Sequence, residues 1–237
     1  MSAKPKHPAA HAAPGDVWFR EAKKRARSGP QLTREKIVAA AVDLLDAQGV
    51  QHLTMRNLAE RLQAHATSLY WHVATKDDVL DLALDAVFAE IDLPASHHAS
   101  WREDVVTFMT ELRRALLRHP WAAALANSRP LVGPHALSRS EFVYAALVTA
   151  GFTGPDLSAA AAAITTYVTG TASSEAVWQQ HDEAGVRSVV HHHLQAQQAR
   201  YPTLAGHFPL SSDDWTAHFT RGMNFLLDGL AANRPAP

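Results

Sequence analysis

From residue 31 onward, apolar side chains return at the spacing of helical turns almost without interruption, and no strand-like alternation competes with them. Thr33 can cap a helix carrying Ile37, Val38, Ala41, Leu44 and Leu45, with Gly49 as its stop. Thr54 can cap a second with Leu58, Ala59 and Leu62, and a third, short helix ends near Trp71-His72. Thr75 can cap a fourth, with Asp77 and Asp78 in its first turn and Val79, Leu80, Leu82, Ala83, Ala86 and Val87 along its apolar side. The fold class expected is therefore all-α.

Beyond a break at Asp92–Ala99 the same logic continues. Ser100-Trp101-Arg102-Glu103 reads as a capping box opening a helix through Val105, Phe108, Met109, Leu112 and Leu116. Further helices are predicted from about Trp121 to Ala126, from about Pro134 to Ala150, from a cap at Asp156 to about Gln180, and from about Glu183 to Ala199. Pro202–Pro209 reads as loop, and Ser211 or Ser212 as the start of a last helix with Trp215, Phe219, Phe225, Leu226 and Leu230. Small residues recur from Ala159 to Ser173, a composition that permits close helix–helix approach within one chain or between two.

Composition narrows the function classes. The 237 residues contain no cysteine, which excludes disulfides, thiolate catalysis and cysteine-rich zinc sites and fits a cytoplasmic location. No apolar run approaches the ~18 residues of a membrane span, so no membrane partner is expected. The net charge of −1 conceals an asymmetry. Residues 1–30 carry seven Lys/Arg against two Asp/Glu, whereas residues 77–237 carry ten against seventeen. A basic head on an acidic body suits a head that meets a polyanion, or a solubilising tail.

The densest chemical signal lies within residues 31–76. Short helices with a tight connection between the second and third match a helix-turn-helix. Thr54 and Arg56 open the second helix, where a free backbone N–H and a cation can hold phosphate. His65, Ala66, Thr67 and Ser68 begin the third, and side chains of that size can approach base edges. Leu69 turns to the core, Tyr70 and His72 extend the polar edge, and Lys76 can reach backbone phosphate. The partner this implies is double-stranded DNA.

Leu32 to Ala83 resembles the N-terminal domain of the tetracycline-repressor family of bacterial transcription regulators. The resemblance is densest in Leu69-Tyr70-Trp71-His72-Val73-Ala74-Thr75-Lys76-Asp77-Asp78-Val79-Leu80, where Leu-Tyr-x-His and the following Lys mark the family. A fainter match runs on through Ser100-Trp101, Ala115-Leu116-Leu117 with His119, Ser128-Arg129-Pro130 and Gly151-Phe152. The resemblance implies a homodimer whose two heads, residues 31–76, read half-sites of an inverted repeat. Residues 77–237 would form an effector-binding and dimerisation domain, with dimerisation through the small-residue helix and the last helix. By position, Arg56, Ala66, Thr67, Tyr70 and His72 fall where members contact DNA, and Thr54 and Lys76 where they hold phosphate. Two departures stand out. Gln63 occupies a turn position where many members have Gly. Leu125 stands where the tetracycline branch has a metal-coordinating His, so a magnesium–tetracycline site of that design is not expected.

Residues 1–30 read as a basic, disordered arm, with Arg20, Lys23, Lys24, Arg25 and Arg27 able to lie along phosphates or enter a minor groove. Trp18-Phe19 could anchor that segment on a domain surface or stay exposed. For a small hydrophobic effector, Phe108, Leu112, Trp121, Leu125, Phe142, Tyr167, Thr171 and Trp178 are candidate walls, with Arg129 as a polar group; each could equally be core. His191-His192-His193 point to different sides of a helix, so no metal and no cofactor are expected. Two other classes remain open. One is a DNA-binding protein without sequence preference that uses the arm alone. The other is a helical-bundle enzyme, against which stands the lack of a phosphate loop, a Glu-x-x-His pair or a nucleophile motif.

Overall fold

The computed structural model describes residues 14–20, 32–179, 181–208 and 214–234; the arm residues Lys23, Lys24, Arg25 and Arg27 lie outside them. Among the described residues there are helices and turns but no strand. The chain gathers into two compact units, one of residues 1–89 with 128–137 and the other of residues 90–127 with 138–237.

In the first unit a single 3-10 turn, Asp16–Trp18, precedes α1 (Arg34–Gln48), α2 (Met55–Arg61), α3 (Ala66–Leu69) and α4 (Lys76–Ala89). Thr33 Oγ1 accepts the Lys36 N–H at 3.3 Å, and Gly49, at φ 76°, donates to the Leu45 carbonyl at 2.8 Å. Between them Ile37, Ala40, Ala41, Leu44 and Leu45 are buried, and α1 packs on α4 and α2. Thr54 Oγ1 accepts the Asn57 N–H at 3.0 Å to cap α2. Beyond α2 the chain reverses at Gln63, whose φ of 51° is left-handed. In that conformation a Cβ crowds the following carbonyl, which explains why glycine is the common occupant.

α4 carries the first unit's buried charge. Thr75 Oγ1 accepts the Asp78 N–H at 3.0 Å, while the Asp78 carboxylate receives the Thr75 N–H at 3.3 Å, the Ala74 N–H at 2.8 Å and the Thr75 hydroxyl at 2.9 Å. A capping box thus closes with Asp in the place usually held by Glu or Gln. Asp81 accepts the Gly15 N–H at 2.7 Å and Arg129 Nη1 at 2.6 Å. Asp85 accepts the Ala136 N–H at 2.9 Å and so caps α7 (Pro134–Thr149). These three carboxylates are all buried, and each has its partners.

The second unit contains α5 (Trp101–Arg118), α6 (Pro120–Ala126), all but the first turn of α7, α8 (Gly154–Gln179), α9 (Glu183–Ala196), α10 (Pro202–His207) and α11 (Trp215–Ala232). α8 is its axis and packs against α5, α6 and α11. Ala160, Ala161, Ile164, Val168, Ala172 and Ala176 form its buried side, so part of the small-residue run serves packing inside this chain. A Cβ at Gly222 of α11 would collide with the Tyr167 hydroxyl, which shows how closely α11 approaches α8.

Local details depart from the sequence expectation. Pro202–His207 is helical rather than loop, because proline suits a first helical position where its missing N–H is not needed. Asp214 caps α11, accepting from Thr216 N–H at 2.9 Å and Ala217 N–H at 3.1 Å; Ser211 and Ser212 lie outside the described residues. α8 begins at Gly154, which places Asp156 inside its first turn rather than at a cap. Regular helix in α3 stops at Leu69, although His72 and Val73 still donate to the Leu69 carbonyl at 2.8 and 3.0 Å. At α5, Ser100 Oγ accepts from Arg102 N–H, and Asp104 rather than Glu103 reaches back, to the His98 N–H at 2.8 Å.

These local geometries set two measurable quantities. Gln63→Gly is expected to raise the unfolding free energy by up to about 1 kcal/mol, and Gln63→Val to lower it by about 1–2 kcal/mol, as read by urea denaturation. The second quantity is the response to acid. Burial opposes the charge on Asp78 and on Asp104, but hydrogen bonds outweigh it and hold both carboxyls below their ordinary 3.8. For Asp78 these bonds come from Arg20, Ala74 and Thr75; for Asp104 they come from His98 and His97. A lowered carboxylate stabilises the fold above its unfolded pKa and loses that contribution as pH falls through the folded value. Denaturation midpoints measured from about pH 6 to about pH 2.5 should therefore fall steeply below about pH 4. Asp78→Asn should start lower and fall less.

Candidate nucleic-acid interface

α3 is too short to be stable alone, and the residues around it hold it in place. Leu69 is fully buried and Val73 is 2% exposed, so the inward side of the turn is pinned in the core. Arg34 Nη2 of α1 donates to the His72 carbonyl at 3.3 Å, and Lys76 Nζ donates to the Val50 carbonyl at 3.1 Å. Both cations therefore fasten the ends of the segment that follows α3.

With Leu69 turned in, the outward edge is fixed. His65 and Thr67 are exposed, Ala66 and Ser68 are half-buried, and Tyr70 is 47% exposed. His72 is half-buried. Thr54 and Arg56 sit exposed at the start of α2, where Arg56 forms an i,i+4 pair with Glu60 at 3.0 Å. Such an exposed pair is worth little and leaves the guanidinium available. Trp71, not named among the sequence candidates, is 69% exposed. The signal was present: Thr67, Tyr70 and Trp71 stand at i, i+3 and i+4, one face of a helical turn. That face offers a hydroxyl, a phenol and an indole without an intervening bulky aliphatic group.

Arg20, expected to be a free arm cation, is instead engaged with buried Asp78. The residues that anchor its segment are Val17, which is buried, and half-buried Trp18, whereas Phe19 is 79% exposed.

The effector candidates separate into four groups. Phe108, Leu112 and Trp121 are core side chains and Leu125 is half-buried. Phe142 stacks on His97 at 4.5 Å. Tyr167, Thr171 and Trp178 follow one face of α8, and Glu175, missed from sequence, lies on that same face by its i+4 spacing from Thr171. Glu175 is buried and paired with Arg113 at 2.7 Å, and the Arg113 guanidinium lies over the Phe219 ring at 5.0 Å. Tyr167 donates to the Phe219 carbonyl at 2.8 Å; burial raises the phenol's pKa, against the Met223 amide and Arg113, which lower it. Trp178 lies under Arg187 at 5.1 Å. Arg129, expected with these walls, belongs to the first unit and is bound to Asp77 and Asp81. Burial opposes its charge, but the two carboxylates prevail and raise its pKa. Its sequence neighbourhood suggested the C-terminal helices because nothing local encodes a partner about fifty residues earlier.

No cluster of three or more metal-ligating side chains occurs among the described residues, and no described helix is long and apolar enough to cross a membrane.

Comparison with known proteins agrees with this architecture. Residues 37–83 match the family model described as bacterial regulatory proteins, tetR family, and residues 93–234 match the tetracyclin repressor-like C-terminal domain. An HTH-type transcriptional regulator of Saccharopolyspora erythraea is 61% identical over 98% of each chain. An HTH-type transcriptional repressor of Streptomyces coeruleorubidus is 34% identical over 85% of this chain and 78% of its own. Among solved structures, the Streptomyces coelicolor TetR family protein ActR in complex with actinorhodin superposes with a TM-score of 0.78 at 29% identity, covering 86% of this chain and 98% of that one. With a helix-turn-helix edge ordered on a buried Leu69–Val73 seam and both family models matched, the chain belongs to the tetracycline-repressor family of DNA-binding transcriptional regulators.

Proposed function

We propose that the protein is a ligand-responsive repressor that reads an inverted-repeat operator as a homodimer and is released by a small hydrophobic effector. The observation that carries the DNA half is the exposed Thr67–Tyr70–Trp71 face set on the buried Leu69 and Val73. Base edges are read there and at His65, Ala66, Ser68 and His72, while Thr54 and Arg56 hold phosphates and Lys76, whose ammonium also donates to the Val50 carbonyl, adds charge beside them. Lys23, Lys24, Arg25 and Arg27 add charge that any duplex attracts.

The effector half rests on the second unit, residues 90–127 with 138–237, rather than on the whole of 77–237. Repression is supported by the name of the Streptomyces coeruleorubidus relative, and an aromatic effector by the actinorhodin complex of the Streptomyces coelicolor relative. The α8 face of Tyr167, Thr171 and Trp178, with Arg113 and Arg187 over its aromatic neighbours, suits a flat, partly polar aromatic molecule. Exposed Val177 of α8 and Phe225 of α11 suit a face covered by a second copy.

Selection from a random duplex pool tests the reading. An enriched inverted repeat is the expected outcome; binding that only fades with salt, with nothing enriched, would leave the arm as the sole DNA-binding element. Within an enriched operator, Tyr70→Ala or Thr67→Ala should cost about 1–3 kcal/mol and relax the preference at particular base pairs. Replacing Lys23, Lys24 and Arg25 together by Ala should weaken all duplexes alike and flatten the salt dependence by about 0.9 for each phosphate no longer neutralised. Equal losses on every sequence from both kinds of change would refute this division of labour.

A further inference from the structure

The first unit contains an attachment that DNA reading by α3 does not require. Residues 14–20 are distant in sequence from everything they touch, yet they lie against α4 and the segment 128–137. Gly15 is buried at φ 88° and donates to Asp81 at 2.7 Å. A Cβ at Gly15 would stand 3.2 Å from Val132 Cγ2, so the backbone is seated closely against that segment. Val17 is buried. Trp18 lines a cavity of about 10 Å³ with Leu84 and Phe88 of α4 and with Leu131 and Gly133, barely room for one water, so the segment is seated with little space left beneath it. Arg20 ends the segment on Asp78.

Asp78 is where the attachment gains a consequence. The same carboxylate that receives Arg20 also receives the Ala74 N–H and the Thr75 N–H and hydroxyl. Those residues connect Val73 to Lys76, the end of the α3 segment to the start of α4. A force on Asp78 therefore acts on the root of the recognition segment. Segment 128–137 is joined to the same helix through Arg129 on Asp77 and Asp81 and through Asp85 on the α7 N-terminus.

We infer that residues 14–20 form a latch that fixes α4 to segment 128–137 and thereby positions the recognition segment, with Arg20 acting through Asp78 and not on DNA. The inference rests on the DNA-reading role proposed above. It assigns Arg20 a part opposite to that of the cations that follow it: Lys23, Lys24, Arg25 and Arg27 attract the duplex, and Arg20 holds the support from which the duplex is read. An open latch leaves each head able to touch DNA but free to tilt, so the protein loses discrimination between half-site spacings.

Three full-length variants test this, each with hydrogen exchange and with binding to the inverted repeat that the selection enriches. Arg20→Ala removes the cation. Asp78→Asn keeps an acceptor for the α4 cap but removes the charge that Arg20 binds. Gly15→Ala changes no charge and strains the seat against Val132. All three should speed amide exchange in residues 78–88 and 128–137 by tenfold or more. All three should weaken operator binding about fivefold or more, broaden the accepted half-site spacings and leave the salt slope unchanged. Arg20→Ala with Asp78→Asn should be no worse than either alone.

Asp78→Asn is the sharpest arm, because removing a negative charge near DNA should tighten binding if charge alone mattered. A phosphate role for Arg20 would show as a salt slope shallower by about 1 for Arg20→Ala, with Gly15→Ala binding as tightly as the parent and Asp78→Asn at least as tightly; that result overturns the inference. Faster exchange with unchanged affinity and spacing preference also overturns it, since the latch would then stabilise without positioning. A lowered melting temperature with a smaller active fraction but the parent's spacing preference has the same meaning. If no variant alters exchange, there is no latch. If the selection enriches nothing, the sequence-reading role fails first and the positioning role falls with it, whatever the exchange rates show.

Discussion

Three buried carboxylates on a single helix are costly unless each is met by a donor, and much of the first unit is arranged to meet them. Asp78, Asp81 and Asp85 of α4 draw on Arg20, the Gly15 amide, Arg129, the Thr75 hydroxyl and the first amides of α7. None of these donors except Thr75 is near α4 in sequence. Satisfying the charges therefore fixes the placement of two remote stretches of chain, and those stretches in turn cover the helix that carries the charges. Hydrogen bonds to an ionised group in a site shielded from water are stronger and more directional than surface ion pairs, which gives the arrangement its definition.

The recognition edge rests on a second, simpler constraint. Leu69 and Val73 are four residues apart and both face the core. Once they are buried, Thr67, Tyr70 and Trp71 have no direction left but outward. Arg34 and Lys76 then hold the neighbouring carbonyls, so a four-residue helix behaves as a fixed surface although its own hydrogen bonds could not hold it.

The part legible in the sequence is the part governed by near neighbours. Caps at Thr33, Thr54 and Thr75, the stop at Gly49, the unusual turn at Gln63 and the inward Leu69 all follow from spacing within a few residues. The family pattern around Leu69–Leu80 supplies the rest of the head. Illegible are the pairings across tens of residues. In the sequence Arg20 is one more arm cation, Arg129 resembles a group for a pocket, and Glu175 gives no signal at all. A charge in a sequence carries no mark of its partner, and only burial makes the pairing obligatory. Pro202 shows the local limit of the same reasoning: proline ends some helices and begins others, and the residues after it decide which.

The first unit is assembled from separate stretches of chain, with residues 128–137 inserted from far downstream. Its boundary is therefore not a point along the sequence. A chimera that grafted residues 1–89 onto the body of a relative would carry Asp81 with its Gly15 amide but would leave Arg129 behind, and Asp85 would have to find its amides at the start of another chain's helix. A head exchanged between family members has to travel with its downstream segment, or with a neutral residue in place of Asp81. The portable module of this protein is a discontinuous one.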